Sequence, residues 1–258
     1  MLNMAKADLY RLVRSKGTYI CLAVMFVLYA SAIFTDSFAV ISAGYDPSRY
    51  FDETFKTDMR MIGCNANYYF LMIFPVSIIL LADFSNGTIK NTLSSVTTKT
   101  KYYVFKFLAV QIISIFYFFL GNSVYYLVRR LVYGSDKATP AAEVFSVLLW
   151  QLPTFIAVIS VFVLMAFLIR KPAIFNTIII LVPSVCTITI GIFLEIKKTR
   201  GFAERYLVNY DFTNLYQYIA ASRSTSFRLM VALISIIIAA AAFIAGIKLF
   251  NCTETIKE

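Results

Sequence analysis

The side chains that could do chemistry in this sequence are few and widely spaced. There is no histidine, so the commonest general base and metal ligand is missing. The four cysteines form no Cys-x-x-Cys pair, which leaves a zinc site or a disulfide framework without support. No Gly-x-x-x-x-Gly-Lys-Ser/Thr phosphate loop occurs. The sequence therefore predicts no catalytic residue, no bound metal and no bound cofactor in this chain.

The densest polar stretch lies at residues 83–106, between two long apolar runs. It contains four lysines, one aspartate and many Ser, Thr and Asn residues. Gly87 can adopt a backbone conformation closed to other residues, so it can turn the chain out of a membrane span. Residues 88–93 then allow about a turn and a half of helix outside the lipid. The alternative is an ordinary solvated loop. Three lysines would form a basic collar beside the next span, which favours the cytoplasmic side. They are Lys99, Lys101 and Lys106.

The composition is that of a membrane protein. Of the 258 residues, 60% are hydrophobic and 15% are charged, and the mean hydropathy is +0.74. A soluble domain is usually about 45–50% apolar and about 25% charged. The net charge of +10 could suggest nucleic acid, but no soluble basic domain is left to bind it. Cytoplasmic anchoring of membrane spans explains the excess more simply.

Uncharged stretches long enough to cross a membrane as helices define the predicted fold. They are residues 17–35, 61–82, 107–128, 144–169, 172–194 and 229–247. Residues 2–16 are predicted to form an amphipathic helix on the membrane surface, with Leu9, Leu12 and Val13 towards the lipid and Arg11 opposite. A cleavable signal peptide is the alternative. We expect an all-α, polytopic membrane protein with six spans in one transmembrane domain, 1–258.

Polar and aromatic side chains in or beside the spans are further candidates. Amides at or near membrane depth are expected to line a substrate cavity or to bond between helices. They are Gln111, Asn122, Gln151 and Asn176. Residues 195–228 are rich in aromatics and are expected to form a cap on the outer side, an ordinary interfacial loop being the alternative. The tyrosines expected at the exit are Tyr206, Tyr210, Tyr216 and Tyr218.

Two sequence runs carry a family resemblance. DFSNGTIKNTL at residues 83–93, followed by TKTKYY at 98–103 and by Lys106, resembles the first cytoplasmic loop of type-2 ABC exporter permeases. KADLYRL at residues 6–12 is similar to the opening of the same family. In that family the loop is a coupling helix that docks on an ATPase subunit. The resemblance therefore implies ATPase coupling through Asp83, Gly87, Thr88, Ile89, Lys90, Asn91 and Leu93.

The resemblance also implies an assembly and a location. ATP and magnesium would bind to separate ATPase subunits, and a second permease copy or a sister permease would complete the membrane part. The segment before the last span would contain short re-entrant helices. The positive-inside count is a tie, so the resemblance and the basic residues before the first span place both termini in the cytoplasm and the chain in the plasma membrane.

The expected activity is the export of amphipathic molecules. Small permeases of this type resemble exporters of antimicrobial or cytolytic peptides, such as the lantibiotic-immunity and phenol-soluble-modulin systems; drugs, lipids or glycans are the alternative cargoes. A secondary transporter would need intramembrane ion ligands or broken-helix repeats, and neither stands out. If residues 88–93 dock on the ATPase, changing Ile89 or Leu93 to Asp should release the partner without unfolding the spans.

Overall fold

The computed structural model describes residues 2–35, 69, 71–89, 93, 98–134, 139–207, 215–216, 219–220 and 224–252. These residues are helical with short connections, and no strand occurs among them, which confirms the predicted all-α class. The helices in chain order are α1 (Leu2–Arg14), α2 (Lys16–Thr35), α3 (Ile73–Ser85), α4 (Lys99–Tyr133), α5 (Ala141–Ile169), α6 (Pro172–Glu195), α7 (Lys197–Phe202) and α8 (Thr225–Cys252). Two segments are π-helical, Ser77–Leu81 within α3 and Ala203–Leu207 after α7.

Four of the described helices are long and apolar enough to cross a membrane: α4, α5, α6 and α8. They contain the predicted spans 107–128, 144–169, 172–194 and 229–247. The chain is therefore a membrane protein. Helix α2 is a 20-residue helix over the predicted first span. The predicted second span, 61–82, lies partly outside the described residues, so the six-span layout stays a prediction.

Local sequence signals fix where several of these helices begin and end. The Thr98 hydroxyl accepts a hydrogen bond from the backbone N–H of Lys101 at 3.3 Å, which caps the start of α4. Gly134 ends α4 with φ of +83°. Arg170 ends α5 in the left-handed region at φ +57°, and Pro172 begins α6, where its missing N–H costs nothing.

Helix α5 lies at the centre of the bundle. It packs most extensively on α8 and also contacts α4 and α6. Helix α6 is the least buried of the four long helices, and its buried residues are Phe175 and Ile179. Most of its apolar surface therefore faces outward, as it would towards lipid or another membrane helix.

Helix α1 contacts the protein along one side and leaves the other side exposed. Asp8 and Leu12 are buried, whereas Leu9, Tyr10 and Val13 are exposed. The predicted lipid face is thus corrected at Leu12, which packs into the core. An apolar exposed side with a protein-bound polar side remains compatible with a helix on the membrane surface.

The two ends of the described chain lie at the same end of the bundle. Asp8 of α1 contacts Lys106 near the start of α4, and Thr100 of α4 hydrogen-bonds Asn251 at the end of α8. We call this the charged end. Because α5 and α8 run from the other end to this one, the segment between α6 and α8 lies at the opposite end, which we call the cap end.

Candidate functional site

Asp83 is the centre of the site at the charged end. Its side chain is buried and accepts hydrogen bonds from the Tyr102 hydroxyl at 2.8 Å and the Thr88 hydroxyl at 3.0 Å. It also accepts a hydrogen bond from the Arg11 guanidinium and lies 2.7 Å from the Lys106 ammonium. Asp83 thus joins α1, α3, α4 and the start of the loop after α3 at one carboxylate.

Lys106 is the second centre, and its position corrects the predicted basic collar. Its side chain is 3% exposed, so it adds no charge to the surface. The ammonium donates to Asp8 Oδ1 at 2.7 Å and to the backbone carbonyl of Ile79 at 2.9 Å, besides its contact with Asp83. Its three N–H groups therefore have a partner each.

The Ile79 carbonyl belongs to the π-helical segment of α3. A π-helical turn changes the hydrogen-bond register of the helix backbone, and such turns are frequent at functional sites. Here the turn contacts both α1 and α4. The Ile79 carbonyl in this turn helps to hold Lys106, which pairs with Asp8 and Asp83.

The site is charge-balanced, with two acidic and two basic side chains, Asp8, Asp83, Arg11 and Lys106. We call these four residues and Tyr102 the ionic cluster. Burial raises the pKa of Asp8 above its ordinary value of 3.8, and the opposing effect of Lys106 is smaller. Burial also acts to raise the pKa of Asp83, but Lys106, Arg11 and Tyr102 outweigh it and lower that pKa. The partners of Asp83 therefore outweigh the cost of burying its charge, whereas those of Asp8 do not.

Aromatic rings pack directly beside the ionic cluster. The Tyr102 ring stacks on Phe250 of α8 with centroids 6.0 Å apart, and Phe167 of α5 lies 4.9 Å from Phe250. Tyr103 lies 4.5 Å from Phe167, and Phe84 lies 5.7 Å from Phe167. These edge and stacked contacts join α3, α4, α5 and α8 at the charged end.

The loop that follows α3 leaves the cluster through a tight turn. Gly87 has φ of +65°, the conformation that the sequence predicts for it. Ser85, Asn86 and Gly87 are exposed and form the tip of this turn. Their base is fixed, because Asp83 and Phe84 belong to the ionic and aromatic contacts.

The predicted coupling residues do not all face outward. Ile89 is 7% exposed and packs in the chain's own core, and Leu93 is partly buried against it. Changing Ile89 to Asp would therefore disturb the fold, contrary to the expectation that it would spare the spans. Lys90 and Asn91 lie outside the described residues.

The amides of the spans bond within the protein. Gln111 donates to Ser160 Oγ at 2.8 Å across α4 and α5, and Asn176 accepts from Ser77 Oγ at 3.3 Å across α6 and α3. Asn122 donates to the carbonyl of Phe118 within its own helix. Gln151 donates to the backbone carbonyl of Tyr216 at 3.1 Å, which fixes part of the cap-end segment to α5.

A cavity of about 870 Å³ lies between α5, α6 and α8 and reaches the cap end. Tyr206 lines it, while the side chain of Tyr216 is buried, and an exit role for these tyrosines stays a prediction. Tyr210 and Tyr218 lie outside the described residues. None of the four span amides is among the residues that line this cavity.

Sequence reasoning missed Asp8, Arg11, Tyr102 and Lys106 as one site. A signal existed in the spacing of Asp8 and Arg11, which places both on one side of a helix. Among the residues that the structure describes, no group of three His, Cys, Asp or Glu could hold a metal ion. No protein-family model matches the chain, and no curated protein matches it in sequence.

Proposed function

We propose that this chain is the membrane subunit of an ATP-driven exporter of the type-2 ABC class. It would move amphipathic, mainly peptide, cargo across the plasma membrane, and ATP hydrolysis would take place on a separate subunit. The proposal joins the loop resemblance with the geometry at the charged end. Drugs, lipids and glycans are the alternative cargoes.

The observation that supports this proposal most is the anchored turn after α3. Its exposed tip, Ser85–Asn86–Gly87, projects from a base that is tied by Asp83 and Phe84 to three other helices, α1, α4 and α5. A push on the tip would be transmitted through charge-assisted hydrogen bonds and packed rings rather than absorbed by a soft loop. A docking site for a motor subunit needs this combination of an accessible tip and a stiff base.

The exposed apolar surface of α6 supports an assembly with a second permease. A membrane helix that contacts its own chain at few positions is available for lipid or for another copy. The membrane part of the exporter would then be a dimer of this subunit or a pair with a sister permease, as is usual for type-2 ABC exporters.

A secondary transporter is the competing function, and the ionic cluster is the observation that favours it. A buried carboxylate with a raised pKa, such as Asp8, binds a proton more readily than an ordinary carboxylate. The four charges, however, pair with one another at one end of the bundle. The predicted spans contain no charged residue that could continue a proton path across the membrane.

The test is purification of the tagged full-length chain from its native membrane. We expect a co-purified subunit with a phosphate-binding loop and ATP hydrolysis that the chain alone lacks. Nucleotide turnover by the isolated chain would refute the assignment.

A matched pair of variants tests the docking surface. Asn86→Glu places a charge at the exposed tip, whereas Lys198→Glu places one at the exposed cap end. We expect only Asn86→Glu to lower recovery of the ATPase, because an unpaired charge at a contact is costly. Equal recovery with both variants would count against docking at this turn.

A further inference from the structure

The cavity at the cap end is walled almost wholly by hydrocarbon. Its volume of about 870 Å³ is in the range of ligand sites, roughly 300–1,000 Å³. Each of the three long helices around it contributes aliphatic side chains. Among them are Val158 and Val161 of α5, Val182 and Ile190 of α6, and Ile234 and Ile238 of α8. The described lining residues include no charged side chain.

Two hydroxyl groups in the wall are already engaged with each other. Thr154 of α5 and Ser235 of α8 both line the cavity, and their hydroxyls are hydrogen-bonded to each other at 3.1 Å. A peptide segment in this space would bring a backbone N–H and C=O with every residue, and each would need a partner. An alkyl chain brings no such group and matches this wall.

The cavity is open between α6 and α8 among the described residues. Helices α6 and α8 each pack on α5, but they make no extensive contact with one another among the described residues. Val182 of α6 and Ile234 of α8 line the cavity while remaining 54% and 48% exposed. Both helices are long and apolar enough to cross a membrane, so we expect this gap to face the hydrocarbon of the bilayer.

We propose that the cavity is a binding site for an acyl chain of a bilayer phospholipid, which enters laterally between α6 and α8. A chain that enters from the bilayer exchanges one apolar surrounding for another, so its binding depends on packing against this wall, which asks for no hydrogen-bond partner. The proposal does not rest on the export function, because the cavity and its lining are independent of any ATPase.

The test uses the full-length chain in vesicles of phosphatidylcholine and phosphatidylglycerol that carry a phosphatidylcholine with a diazirine in its acyl chain. After illumination, mass spectrometry maps the residues that carry lipid. We expect enrichment at Ala157, which is 5% exposed and lines the cavity, over outward-facing Leu181 and Ile188 of α6. Equal or lower attachment at Ala157 in the unaltered chain would overturn the proposal without any variant.

Two neighbouring residues of α8 give a matched pair for filling the cavity. Ile238 lines it, whereas Ile237 is 66% exposed and is not part of its wall. We expect Ile238→Trp to lower attachment at Ala157 by about tenfold or more and Ile237→Trp to change it by less than about twofold, because only the indole at position 238 would fill space that the acyl chain needs.

The other occupants are outcomes of the same experiment. Loss of lipid attachment at Ala157 on adding an amphipathic helical peptide would assign the cavity to peptide and overturn the lipid proposal. In a parallel sample with a photoreactive amino acid in place of Ile238, links from that position to a second copy of the chain would assign the cavity to a second subunit and overturn the lipid proposal. Lipid attachment that persists at Ala157 in the presence of peptide, with no link between copies there, supports the acyl-chain site.

Discussion

Replacing Lys106 by Met should destabilise the protein strongly, because it removes the cation shared by two buried carboxylates. Lys106 is 3% exposed, and Asp8 and Asp83 are 6% and 5% exposed at their side chains. Breaking a buried ion pair from one side costs about 3–5 kcal/mol, since the remaining charge is left uncompensated. Arg11 is 35% exposed, so water can replace it, and Arg11→Met should cost only about 1 kcal/mol.

The measurement is unfolding in mixed micelles of mild detergent and SDS, followed by circular dichroism. A triple variant, Lys106→Met with Asp8→Asn and Asp83→Asn, should be more stable than Lys106→Met alone. The reason is that it also removes the two buried carboxylates that have lost their lysine. The reasoning is refuted if Lys106→Met unfolds like the parent protein, or if Arg11→Met costs more than Lys106→Met.

Further predictions concern the pH dependence of the ionic cluster and two helical glycines. The folded pKa of Asp8 is raised above 3.8, so ionisation of Asp8 lowers the stability of the parent as pH rises from 3.8 through the folded pKa. Asp8→Asn does not ionise. The stability of Asp8→Asn relative to the parent should therefore be higher at neutral pH than at acid pH. The folded pKa of Asp83 is lowered, so Asp83→Asn should cost stability at neutral pH, with a smaller cost as pH falls below 3.8. A Cβ on Gly246 would collide with the ring and hydroxyl of Tyr103, so Gly246→Ala should cost about 1–3 kcal/mol. Gly191→Ala, which meets no neighbouring atom, should be neutral or stabilising in the same unfolding assay.

The spans were the predictable part of this fold. Long uncharged runs can satisfy their backbone only as helices in a membrane, so the runs at residues 107–128, 144–169, 172–194 and 229–247 each fall inside an observed helix. The turn at Gly87 was also predictable, since a glycine between a span and a polar segment is a local signal. Helix and turn signals of this kind are carried by neighbouring residues.

The ionic cluster could not be read from local signals. Lys106 and Asp8 are separated by 98 positions, and each has the appearance of a solvated charge beside an apolar run. Local signals therefore predict that Lys106 forms a surface collar with Lys99 and Lys101. Which of three nearby lysines turns inward depends on the packing of α1 against α3 and α4, and that is a tertiary property.

The placement of the ionic cluster follows from what it costs to bury charge. In the middle of a bilayer, charged side chains are expensive even when paired. At the charged end the pairing is complete and neutral, with Asp8 and Asp83 matched by Arg11 and Lys106, and the one-third exposure of Arg11 keeps part of the cluster in contact with water. The aromatic rings of Tyr102 and Phe250 close its other side and exclude competing water. A bundle built in this way can hold the base of the turn after α3 in one position while the rest of its surface stays apolar. If the turn after α3 docks a motor subunit, as we propose, the stiffness that coupling requires is concentrated at the end of the bundle where burying charge costs least.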